Sequence, residues 1–141
     1  MTATLEQPMT APARAGAMVW TGRVISTLVT LFMLMDAGMK VARAKVVVEK
    51  TAEMGIPIDS ITAIGWVLLV STILYAIPRT AALGAVLLTG YLGGAIAVNV
   101  LMVKENAAFG VVFASVVGVL AWLGLYFRDA RVRRVLPVAV G

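Results

Sequence analysis

The chain has 141 residues, 61% of them hydrophobic and only 13% charged, with a formal net charge of +5. Soluble domains carry about 45–50% apolar and about 25% charged residues, so this composition describes an integral membrane protein with room for one small domain. With neither cysteine nor histidine in the chain, thiol redox chemistry, disulfides, Cys/His zinc sites and His-ligated haem are excluded.

Residues 1–19, MTATLEQPMTAPARAGAMV, are rich in Ala, Thr and Pro. No basic segment leads directly into an apolar stretch, so they do not read as a cleavable signal; the expectation is a disordered tail. Four apolar runs follow, at 20–39, 61–77, 81–103 and 109–127. A span needs about 20 mostly apolar residues, within a range of roughly 17–25. Each run must be helical, because lipid offers no partner to an exposed backbone group. The fold class is therefore all-α, an integral membrane four-helix bundle.

The first two runs are separated by VARAKVVVEKTAEMGIPIDS, residues 41–60. Val41, Ala44, Val48 and Ala52 recur at helical spacing with charges between them. Gly55 suits a left-handed helix stop and Pro57 follows at the usual distance. The segment predicts a short amphipathic helix on the membrane surface between the first and second spans.

The third run carries the glycines. Gly90 and Gly94 form G-x-x-x-G, and Gly93 and Ala97 extend the small surface around the helix. Such a face lets helix backbones approach closely in lipid, so Gly90, Gly93, Gly94 and Ala97 are expected to pack within the bundle; homodimerisation through the same face is the alternative. No strand precedes these glycines, so they do not form a phosphate loop.

Polar groups inside a span are costly and call for partners. Asp36 and Lys40 stand four apart, acid first, the better order for a helical ion pair. Alternating topology brings the ends of the first and third helices and the starts of the second and fourth to one membrane face. Asp36, Lys40, Asn99 and Trp66 are thus expected to line a polar pocket there, with Thr62 and Ser115 at similar depth. Tyr91 lies about 12 Å deeper than Asn99 and within about 80° of it around the helix, so both can face one cavity. Two readings of this set stand: an ion pair with an interhelical amide bond, or a site that binds a quinone or another small lipophile and exchanges protons with it. No triad, metal cluster or paired-carboxylate spacing adds to an enzyme reading, and no cofactor is otherwise evident.

Trp20, Tyr75, Trp122 and Tyr126 are placed like interfacial belt aromatics. The last run ends in a basic tail, 128–141, where Arg128, Arg131, Arg133 and Arg134 cluster. Beside a hydrophobic span, these residues and Arg79 read as anchors on anionic lipid. Nothing resembles a nucleic-acid module. Four spans put both termini on one side, which collects seven Lys/Arg against five on the other; the positive-inside rule makes that side cytoplasmic.

The stretch from Tyr75 through Pro78-Arg79-Thr80, Gly84-Ala85, Leu87-Leu88-Thr89-Gly90-Tyr91 and Gly93-Gly94-Ala95 resembles the DoxX-like family. Weaker agreement comes from DAGMK at 36–40, EMGIP at 53–57 and WLGLYFRDARVRRVLP at 122–137. The resemblance implies a small four-helix protein of the bacterial cytoplasmic (inner) membrane. Relatives in the wider DoxX group are linked to redox work, as a subunit of a thiosulfate:quinone oxidoreductase or a membrane partner of detoxifying redox enzymes. It therefore implies a membrane subunit or anchor for a redox or stress-response partner, although a chain without cysteine does not itself transfer sulfur. Asp36, Lys40, Tyr75, Arg79, Thr89, Tyr91 and Gly94 match the pattern.

Overall fold

The computed structural model describes residues 11–136 and 138. Its elements are α1 (Ala11–Val41), α2 (Lys45–Glu53), α3 (Ile58–Ala76), α4 (Ala81–Met102), α5 (Ala107–Arg128) and α6 (Ala130–Val135). Helices α1, α3, α4 and α5 are long and apolar enough to cross a membrane. Helix α1 begins at Ala11 rather than at residue 20, so residues 11–19, expected in a disordered tail, are helical. At about 1.5 Å per residue its 31 residues exceed a hydrocarbon core of about 30 Å. Its first turns therefore overhang the bundle. Residues 1–10 of that expected tail lie outside the described residues.

The surface helix forms as α2 and stops as the sequence suggests. Gly55 takes φ +71°, and its amide donates to the Ala52 carbonyl at 3.0 Å. Arg43 turns the corner out of α1 with φ +51°. Its guanidinium ties that corner to α3, donating to Thr62 at 2.9 Å and to Asp59 at 3.1 Å.

The four spans form a ring, α1 beside α3, α3 beside α4, α4 beside α5 and α5 beside α1. Neighbours run antiparallel, and α1 and α4 face each other across the diagonal. The core between them holds Met33, Ala37, Leu68, Leu88, Leu92, Val117, Ala121 and Leu125. Lipid tails are as apolar as these side chains, so close packing rather than water exclusion holds the spans together.

Glycine permits that packing at every neighbour pair. A Cβ on Gly84 would collide with the Tyr75 backbone, joining α4 to α3, and one on Gly124 would meet Ser26 Oγ at 2.6 Å, joining α5 to α1. Gly22, Gly65 and Gly110 are crowded in the same way by Arg128, Lys40 and Asn99. None of these is a residue of the expected G-x-x-x-G face. Among the described residues a Cβ on Gly90, Gly93 or Gly94 would meet nothing within 4 Å, and Ala97 is exposed. That face is turned away from the bundle, not into it.

Near the turn between α3 and α4, Tyr75 is fully buried instead of sitting in an interfacial belt. Its hydroxyl donates to the Ala121 carbonyl at 2.7 Å and lies 3.2 Å from Ser26 Oγ. Arg128 donates to the Tyr75 carbonyl at 2.6 Å, and its guanidinium stacks 4.9 Å from the Tyr75 ring. Thr80 closes the turn by donating to the Leu74 carbonyl at 2.8 Å. One side chain thus links α1, α3 and α5 at a single depth, and Gly84 brings α4 against its backbone. Arg128, expected as a lipid anchor, serves this interior lock.

Candidate functional site

Asp36 and Lys40 face the bundle from the last turns of α1. The pair forms along the helix, as the spacing predicts. Tyr91 reaches it across the diagonal from the middle of α4, its hydroxyl donating to Asp36 Oδ2 at 3.2 Å. The Lys40 ammonium lies 5.9 Å from the centre of the Tyr91 ring, within reach of a cation–π attraction. Gly65 of α3 sits against Lys40 and Val41, so a bare stretch of backbone lets α1 and α3 approach closely beside the pair. The result is a half-buried carboxylate that accepts from an ammonium and a phenol at once. Such a group can bind the polar head of a small molecule by hydrogen bonds.

The other expected members stand elsewhere. Asn99 donates to the Ala95 carbonyl of its own helix at 2.8 Å, and its carboxamide presses on Gly110 of α5. It serves the α4–α5 contact. Trp66 is 53% exposed on the outside of α3, facing lipid. Thr62 is taken by Arg43, and Ser115 donates to the Val111 carbonyl. Asp36, Lys40 and Tyr91 are the part of the predicted pocket that comes together.

A separate groove of about 690 Å³ runs between α4 and α5. None of Asp36, Lys40, Trp66, Tyr91 or Asn99 lines it. Within it the Trp122 indole donates to Thr89 Oγ1 at 2.8 Å, while Thr89 donates to the Ala85 carbonyl at 2.8 Å. The self-bond of Thr89 leaves its oxygen free to accept. Trp122 is therefore tied to α4 rather than serving only as a belt residue.

Beyond the membrane, Arg133 folds back and donates through Nη1 to the carbonyls of Tyr126 and Phe127, both at 2.8 Å. These carbonyls belong to the last turn of α5, where a cation is favoured. Arg79 in the α3–α4 turn and Arg131 and Arg134 on α6 are exposed, the position an anchoring residue needs. Among the described residues no group of three or more Asp or Glu side chains converges as a metal site would require.

The sequence model of the DoxX-like family matches residues 24–124. That stretch contains the Asp36–Lys40–Tyr91 cluster, the Tyr75 lock up to Ala121 and the open glycine face. Comparison with curated proteins and with solved structures returned no match.

Proposed function

The chain belongs to the DoxX-like family, and from that premise we propose that it is a non-catalytic membrane subunit that supports a redox or stress-response partner in the bacterial inner membrane, with both termini cytoplasmic. The observation that carries the reading is the unpartnered face of α4. Gly90, Gly94 and Ala97 share that face with open space beside them, whereas the glycines the bundle itself needs are elsewhere. Small residues spaced four apart are the surface on which another transmembrane helix packs closely.

The test is purification of the tagged full chain from its native membrane under mild detergent. A redox or stress-response membrane protein is expected to co-purify with the unmodified chain. Gly94→Leu should lower its recovery at least about tenfold, the equivalent of about 1.4 kcal/mol of lost contact. Thermal stability should be unchanged. Equal recovery with both chains, or a homodimer lost in the variant with no other protein, sinks the subunit reading.

A second reading, a quinone or other small lipophile bound at Asp36, is supported by the bond from Tyr91. A charge pair facing the bundle near the end of a span is costly and usually serves a purpose. Organic extraction and mass spectrometry of the purified protein should then find a stoichiometric lipophile that Asp36→Asn removes without loss of helix. Phospholipid alone in both samples ends that reading.

A further inference from the structure

We infer that the groove between α4 and α5 holds one acyl chain of an anionic phospholipid, with the lipid phosphate bound by Arg133 of α6. The dimensions fit a chain of one leaflet. The groove follows α5 from Ala114 to Phe127, about 20 Å at 1.5 Å per residue. Half of a hydrocarbon core of about 30 Å is about 15 Å, so an extended chain is accommodated from end to end. Its volume of about 690 Å³ falls among sites that hold small molecules, roughly 300–1,000 Å³. Gly93 and Gly118 line it, and a Cβ on Gly93 would meet no atom within 4 Å. Missing side chains give the groove its depth.

The wall suits hydrocarbon. Its polar side chains include Thr89, Ser115 and Trp122, and each directs its donor to a protein acceptor. A chain lying against them leaves those donors satisfied.

The mouth is cationic. Arg133 bonds through Nη1 to the backbone of Tyr126 and Phe127, two residues that line the groove. Its Nε and Nη2 remain available, and a guanidinium fork matches the geometry of a phosphate. Arg131 and Arg134 lie on the exposed side of α6, about 100° or more around the helix from Arg133 and Leu136 at 3.6 residues per turn. Leu136, directly after that helix, returns to the groove wall. Among the described residues the ion pairs engage Lys40, Arg43 and Lys45 and not Arg133, while Asp129 caps α6 by accepting from the Arg131 amide at 2.8 Å. A phosphate at this end and an acyl chain along the wall complement the two halves of the site.

This inference stands apart from the subunit reading, because Gly94 does not line the groove and Gly93 does. Native mass spectrometry of the full chain in detergent tests it, with phosphatidylglycerol and phosphatidylcholine of identical acyl chains titrated in parallel. Phosphatidylglycerol should bind about tenfold more tightly, because the choline ammonium of phosphatidylcholine offsets the phosphate charge that the guanidinium meets. The variant R133Q should bring the two lipids level. Gly93→Leu, which fills open space, should weaken both lipids about tenfold with helix content unchanged. Equal binding of the two lipids by the unmodified chain overturns the proposal. So does undiminished phosphatidylglycerol binding by either variant.

Discussion

Gly84→Leu should leave no folded protein, while Gly94→Leu, ten residues further along the same helix, should melt like the unmodified chain. The two glycines look alike in sequence, each set among small and aliphatic residues. They differ in what lies beside them. At Gly84 a Cβ runs into the backbone nitrogen and Cα of Tyr75, and backbone held in a helix cannot swing aside as a side chain can. Overpacking a core usually costs about 1–3 kcal/mol. Here the α3–α4 contact must open to admit the side chain, so at least about 3 kcal/mol is expected at the upper end of that range. Next to Gly94 nothing lies within 4 Å. Heating in detergent with size-exclusion detection of the surviving monodisperse fraction separates the outcomes. Equal loss in both variants would mean that α4 is rotated from the position described.

Tyr75→Ala should lower the unfolding free energy by about 3–5 kcal/mol, the range for deleting a large buried aromatic side chain. The ring is fully buried, and removing its hydroxyl leaves Ser26 without this partner in the interior and takes from the Ala121 carbonyl the bond it accepts besides its helical one. Tyr75→Phe isolates that part and should cost about 1–3 kcal/mol, the usual penalty for an unsatisfied buried polar group. Arg128 gives an internal comparison. Its bond to the Tyr75 carbonyl survives both changes, whereas its stacking on the ring is lost only in Tyr75→Ala. If Tyr75→Phe melted with the unmodified protein, the hydroxyl would be incidental and the lock would reduce to packing.

These contrasts explain what the sequence made legible. The spans were visible because four runs are long and nearly free of charge. The surface helix was visible because Gly55 and Pro57 are local punctuation. Asp36 and Lys40 were visible because their bond is made along one helix. The rotation of each span was not. In α3 and α4 the apolar residues surround the helix almost evenly, since lipid and core demand the same side chains and leave no amphipathic stripe to orient the helix. Asn99 was therefore directed at Asp36 when its neighbour is Gly110. Gly94 was turned inward when it faces out. Tyr75 and Arg128 were assigned to the interface because both stand near a span end, and nothing local marks the interior partners they find on other helices. Only Tyr91, placed by depth as well as angle, was drawn toward the right cluster.

The lock at Tyr75 also orders events during synthesis. Its bonds join residues 46, 49 and 53 positions apart, and two of its partners, Ala121 and Arg128, sit on α5, which is made after the other three spans. Until α5 enters the bilayer, the Tyr75 phenol has no carbonyl to donate to. Ser26 and Gly22, meanwhile, face an empty seat. Helices α1, α3 and α4 must wait as a loosely associated trio, and α5 closes the bundle like a keystone. A nascent chain halted before residue 121 should therefore remain open to quality-control proteases, and release of α5 should end that vulnerability in one step.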